Sequence, residues 1–268
     1  MFKDVTVGQY YPADSVIHRL DPRTKINFTF LYIISLFLIT SYTGYLVAVL
    51  FLAGIILLSK VPVGYIIRGI KGLIFIIILT VLINLFLTPG TPKFQLWKLV
   101  ITEEGIHLAT FMALRLIFLI MGTSIMTLTT SPIALTDGIE YLLKRIPIVK
   151  AYAHELAMMM TIALRFIPTL MEETDKIMKA QKARGADFET GNLLKRAKNL
   201  IPLLVPLFIG AFRRADELAI AMEARCYRGG ENRTRLKELV YHWRDTYAYM
   251  VTIAMIAMII LTRYVNIG

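Results

Sequence analysis

Two arginines in matching surroundings are the residues of this chain best placed to make a specific contact. They close the words Ala180-Gln-Lys-Ala-Arg184-Gly185 and Ala221-Met-Glu-Ala-Arg225-Cys226. Registering Arg184 on Arg225 aligns Ala183 with Ala224, Ala180 with Ala221, Asp175 with Asp216 and Ile177 with Leu218, an internal repeat at a 41-residue spacing. Gly185 follows the first word and Gly229-Gly230 the second, so each arginine falls in the last turn of a helix. A guanidinium among small neighbours presents a planar fork to a carboxylate or a row of carbonyls, and lets another protein's surface come close. A cation in the last turn also complements the helix dipole, worth ~0.3 to 1 kcal/mol, and for a single arginine that account would suffice. Repetition of the whole context favours recognition, with the two tips acting as a two-pronged plug.

Other chemistry is missing. No Gly-x-x-x-x-Gly-Lys-[Ser/Thr] loop occurs, nor any Gly-Lys pair, so the chain has no phosphate cradle of that kind and is not expected to hydrolyse ATP by itself. His18, His107, His154 and His242 stand far apart without metal-ligand spacing, and His154-Glu155 is a weak pair on a helix. There is no Gly-x-Ser-x-Gly elbow. The expectation is a non-enzyme with no catalytic residues, no metal site and no cofactor of its own. Arg115 is the one clear charge inside a confident span. It has two readings, a functional group in the membrane or a structural one bonded to a neighbouring span's carbonyls.

The elements that must position the arginines are set by composition. At 268 residues, 56% hydrophobic and with a mean hydropathy of +0.61, the chain belongs to the membrane class. Charge-free runs cover 26–59, 72–92, 116–136 and 246–262, the first with room for two passes around Ser41-Tyr-Thr-Gly-Tyr45. Lys3, Asp4 and Asp14 precede any apolar run, against a cleaved signal peptide. The formal charge of +11 reports topology before partners. Residues 131–245 carry 19 Lys+Arg against 14 Asp+Glu, a net of +5, while 89–104 has two of each sign. The positive-inside rule then places the N-terminus and the arginine-bearing segment in the cytoplasm and the neutral loop outside, with no nucleic-acid partner implied. The single cysteine, Cys226, is expected as a free cytoplasmic thiol.

Taken in order, Asp21 and Pro22 suit the N-cap and first position of the first helix, with Arg23 and Lys25 holding that end at the cytoplasmic surface. Span three is expected at about 72–88 and span four at 105–130, with Tyr45 and Trp97 in the outer interface. Ser131-Pro132 starts a short amphipathic helix whose Ile139, Leu142, Leu143 and Ile146 form one face. The first arm, 151–184, would reach roughly 50 Å as a helix. The second opens with apolar 200–212, too short to span. A competing reading makes 156–171 and 200–212 a hairpin across the bilayer, giving seven spans. Met158, Met159, Met160, Met171, Met178 and Met222 either adapt to varied partners or fill core gaps. The expected architecture is an all-α polytopic membrane protein of about five spans: a membrane domain over 1–130, a cytoplasmic helical coupling domain with two long arms over 131–245, and a final span over 246–268.

The segments Asp21-Pro-Arg-Thr-Lys25, Ala113-Leu-Arg115 through Leu128-Thr-Thr-Ser131-Pro132, and the two Ala-Arg-small words together resemble the transmembrane coupling (T) components of energy-coupling factor vitamin and metal transporters. The resemblance implies an assembly in the cell membrane with two ABC-type ATPase subunits, which bind the ATP, and a small substrate-binding membrane subunit. It also implies that Ala183, Arg184, Gly185, Ala224, Arg225 and Cys226 dock on the ATPases, and that apolar faces carrying Met158, Met159, Leu164, Leu203 and Leu207 hold the substrate-binding subunit. Cys226, where the first word has Gly185, departs from the pattern. The other classes are a self-sufficient permease, for which Arg115 and Asn84 build too little of a polar path, and a membrane enzyme, which lacks a reactive constellation.

Overall fold

The computed structural model describes residues 10–96, 99–188, 192–229 and 238–265. In chain order the elements are α1 (Pro22–Leu38), α2 (Tyr42–Ser59), α3 (Val63–Leu87), β1 (Pro92–Leu96), β2 (Leu99–Thr102), α4 (Glu103–Thr129), α5 (Pro132–Leu143), α6 (Ala153–Ala183), α7 (Leu193–Asn199), α8 (Ile201–Ala224) and α9 (Trp243–Val265). The chain is an all-α polytopic membrane protein. It divides into one unit of residues 9–139 with 239–268 and another of residues 140–238, the division falling inside α5.

In the first unit, α1 begins as the sequence dictates: the Asp21 carboxylate accepts the Arg23 N–H at 2.8 Å, and Pro22 needs no intrahelical donor at the first position. Arg23 and Lys25, however, do not face a membrane surface. They are 3% and 6% exposed. Arg23 forks onto Asp21, with Nε and Nη2 each at 2.9 Å, donates to the Leu239 carbonyl at 2.8 Å and lies over the Tyr241 ring. Lys25 Nζ donates to the carbonyls of Thr129 at 2.7 Å and His18 at 3.1 Å. Asp245 completes the knot, accepting the backbone N–H groups of Asp21 and His242 at 2.9 Å each and so capping α9. The start of α1, the end of α4 and the start of α9 are thus tied by buried charges that also bond backbone groups.

Between these helices the core is built from Tyr32, Leu36, Ala48, Leu52, Phe118 and Ile125 with their neighbours. Tyr45 belongs here and not to an interface: it is 3% exposed and its hydroxyl donates to the Phe111 carbonyl at 2.9 Å, because Phe111 and Phe118 offer ring contacts on that side. Trp97 lies outside the described residues. Close approach of α1 and α4 depends on Gly122, where an added methyl would overlap the Tyr32 ring. Among the described residues four helices are long and apolar enough to cross a membrane: α2, α3, α4 and α9. The remaining expected span, α1, is 17 residues. The helix α3 starts at Val63, nine residues before the charge-free run, because Arg68 and Lys71 are tolerated in its first turns, where long stems can carry the charge outward. After it, β1 and β2 pair antiparallel, with Gln95 opposite Val100, where a loop was expected.

In the second unit, neither α6 nor α8 is among the helices apolar enough to cross, which leaves the bilayer-crossing hairpin without support. The helix α6 is 31 residues long and runs through Pro168. The neighbouring α8 has Pro202 in its first turn, where a missing N–H costs nothing, and Pro206 inside. Across the division, α5 is capped by Ser131, whose hydroxyl accepts the Ala134 N–H at 3.3 Å. Its expected apolar face is only half-buried, and Ile146 beyond its end is exposed, whereas Thr136 and Glu140 are the buried side chains.

Candidate functional site

Both arginine words end their helices with the same backbone device. Arg184 is the C-cap of α6 and Arg225 the C-cap of α8. The next residue turns left-handed, Gly185 at φ +87° and Cys226 at φ +56°. Gly185 N–H then bonds the Lys182 carbonyl at 3.0 Å and Ala186 N–H the Gln181 carbonyl at 2.9 Å; Cys226 N–H bonds Glu223 at 2.8 Å and Tyr227 N–H bonds Met222 at 3.1 Å. These are two Schellman turns in the repeat's own register. Cys226 stands in glycine's place at a conformational cost of about 1 to 2 kcal/mol. Ala183, Arg184, Gly185, Ala224, Arg225 and Cys226 are all exposed, and among the described residues neither guanidinium has a partner.

The arms run antiparallel. Met158 and Ile162, in the first turns of α6, line a groove of about 520 Å³ with Leu218 and Met222 of the last turns of α8 and with Arg225 and Arg228. Farther along, Arg214 of α8 pairs with Glu173 of α6, and Gly210 lets that carboxylate lie close to the α8 backbone. The far end is fixed by Asn199, which donates to the Asp187 carbonyl at 2.6 Å. Arg225 therefore lies beside the start of α6, and Arg184 lies at its end. At 1.5 Å per residue the two tips are roughly 45 Å apart. They do not stand side by side as prongs of one fork.

The apolar residues assigned to a substrate-binding partner divide. Met159 is exposed; Met158, Leu164 and Leu207 are half-buried; Leu203 is buried at 5%. Met158 shares the groove of the second tip. An exposed apolar stripe runs along α8: Ile201, Leu204, Val205, Phe208, Ile209 and Phe212, at the i, i+3, i+4 spacing of one helix face. Sequence reasoning missed a further cluster. His154 does not pair with Glu155 but bridges Glu140 and Tyr227, at 3.2 and 3.1 Å. Nothing in the local sequence signals contacts over 14 and 73 residues.

Arg115 shows the structural arrangement: Nη2 donates to the Ile39 carbonyl, the C-cap of α1, at 3.4 Å, and the guanidinium lies over the Phe37 ring. Asn84 donates to the Thr80 carbonyl of its own helix.

A polytopic helical bundle and a helix pair that ends in two exposed arginines, without a partner among the described residues, make this a membrane protein, and similarity to known chains says which kind. The family model described as cobalt transport protein matches residues 13–236. Curated relatives called energy-coupling factor transporter transmembrane protein EcfT include those of Clostridium kluyveri, 58% identical over 98% of both chains, and Thermosediminibacter oceani, 57% identical over 98% of this chain and 99% of the relative. The Bacillus subtilis relative is 46% identical over 98% of this chain and all of its own. The chain belongs to the EcfT/CbiQ family of transporter membrane components.

Proposed function

We propose that this chain is the energy-coupling membrane subunit of an importer, passing conformational change from two ABC-type ATPase subunits to a small membrane subunit that binds a vitamin or metal ion. The observation that carries the proposal is the pair of matched, exposed arginine caps at opposite ends of one antiparallel helix pair. A separation of roughly 45 Å is about the diameter of a small domain or more, so one tip meets each of two ATPases and neither serves both. Small residues beside each guanidinium allow close seating, and the planar fork suits a carboxylate or a row of carbonyls on the ATPase.

The stripe on α8, with Met159 exposed on α6 and Met158, Leu164, Leu203 and Leu207 in or beneath the same pair, is the surface for the substrate-binding subunit. Exposed contiguous apolar area of this kind marks an interaction surface. ATP is held by the ATPases, and this chain carries no cofactor. The chain lies in the cell membrane with its N-terminus and residues 131–245 in the cytoplasm, from the charge balance.

The test is purification. Chain drawn from membranes in mild detergent is expected to bring down two ATPase subunits and to show no ATP hydrolysis once they are stripped away. Hydrolysis that stays with the stripped chain and disappears on its mutation would refute the proposal.

A further inference from the structure

We propose that His154 is a positioning residue for the second tip, holding through Tyr227 the turn that presents Arg225; this rests on the docking role given to that tip above. His154 is the second residue of α6, and its ring lies between two partners that are remote in sequence. The Glu140 carboxylate is 3.2 Å from Nδ1 and the Tyr227 hydroxyl 3.1 Å from Nε2. Glu140 is 4% exposed and is held in turn by Lys144 Nζ at 2.8 Å. A carboxylate on Nδ1 fixes the proton there, which leaves the lone pair of Nε2 to accept from the Tyr227 hydroxyl.

Tyr227 is held at both ends. Its side chain is bound to His154, and its N–H closes the Schellman turn on the Met222 carbonyl at 3.1 Å, two residues after Arg225. The repeat shows why the second tip needs this support. At the first tip the left-handed residue is Gly185, which adopts φ +87° freely, and the residue matching Tyr227 is Ala186, which has no polar side chain. At the second the left-handed residue is Cys226, whose Cβ disfavours φ +56°. Such a conformation persists when its surroundings over-determine it. The bond from Tyr227 to His154, backed by Glu140 and Lys144, is part of that surrounding structure.

Two readouts test the role, and rescue by a hydrogen-bonding replacement separates positioning from a loss of packing alone. In hydrogen exchange on the purified full chain, Tyr227→Phe and His154→Ala are expected to speed exchange about fivefold in peptides covering 222–228, the loss matching one hydrogen bond, and to leave 181–186 unchanged. His154→Gln keeps a donor for Glu140 and an acceptor for Tyr227 and should restore most of the protection. Cys226→Gly should make the turn insensitive to His154→Ala.

In ATPase binding, His154→Ala should weaken docking about fivefold when Arg184→Ala leaves only the second tip, and should change nothing when Arg225→Ala leaves only the first. Equal exchange at both tips, or equal weakening in both backgrounds, would overturn the inference. If neither arginine substitution affects docking, the docking proposal fails, while the exchange pattern still decides the role of His154.

Discussion

At the residue scale, the two arginine caps differ by one side chain that carries an energetic cost. Cys226 holds a left-handed backbone that glycine adopts without strain. Cys226→Gly is therefore expected to raise the stability of the second turn by about 1 kcal/mol, read as increased protection of residues 222–228 in hydrogen exchange. Gly185→Val at the first tip should do the reverse and fray the end of α6. Arginine and lysine should also part company here. If the guanidinium seats as a planar fork on a carboxylate, Arg184→Lys and Arg225→Lys keep the charge and recover little of the ATPase binding lost in the alanine variants. Full recovery with lysine would point to simple electrostatics. Arg115 illustrates the opposite case, a charge in a span whose guanidinium is used to meet the end of a neighbouring helix.

At the element scale, the buried ionic knot at the start of α1 ties three helix ends of the membrane unit together. Arg23 and Asp21 are buried together, and the arginine also donates to a backbone carbonyl. Arg23→Leu leaves the Asp21 carboxylate buried without its counter-charge and is expected to cost about 3 to 5 kcal/mol, seen as a large fall in the unfolding temperature in detergent. An unchanged unfolding temperature would show that the pair is open to water.

The helices themselves were legible from apolar runs, and Asp21 and Ser131 were legible as caps, because both signals are local. The burial of Arg23 and Lys25 was not, since their carbonyl partners lie 216 and 104 residues away. The start of α3 was hidden by Arg68 and Lys71, which break a charge-free run without breaking a helix. The 41-residue repeat revealed both tips, and their matched caps are a property of local sequence. Their placement at opposite ends of the arms was not legible, because it depends on α6 and α8 packing antiparallel, which no spacing encodes.

At the scale of the whole molecule, docking on cytoplasmic ATPases requires residues 131–245 to lie in the cytoplasm. The chain's one cysteine, exposed Cys226, reports on this directly. An impermeant maleimide should leave it unlabelled in intact cells and label it after lysis, while Gln95→Cys in a Cys226→Gly background should react from outside. Labelling of Cys226 in intact cells would reverse the orientation and with it the meeting with cytoplasmic ATPases.

Docking of one ATPase on each arginine cap is probed by ATPase co-purification with Arg184→Ala, Arg225→Ala and the double variant at equal membrane abundance, with substrate uptake measured on the same cells. Truncating a buried, paired arginine costs ~2 to 5 kcal/mol, or roughly 30-fold to several thousand-fold in affinity. Each single variant should therefore weaken one ATPase contact, and the double variant should lose both ATPases and all coupled uptake. A double variant that retains wild-type ATPase content and uptake would contradict the account.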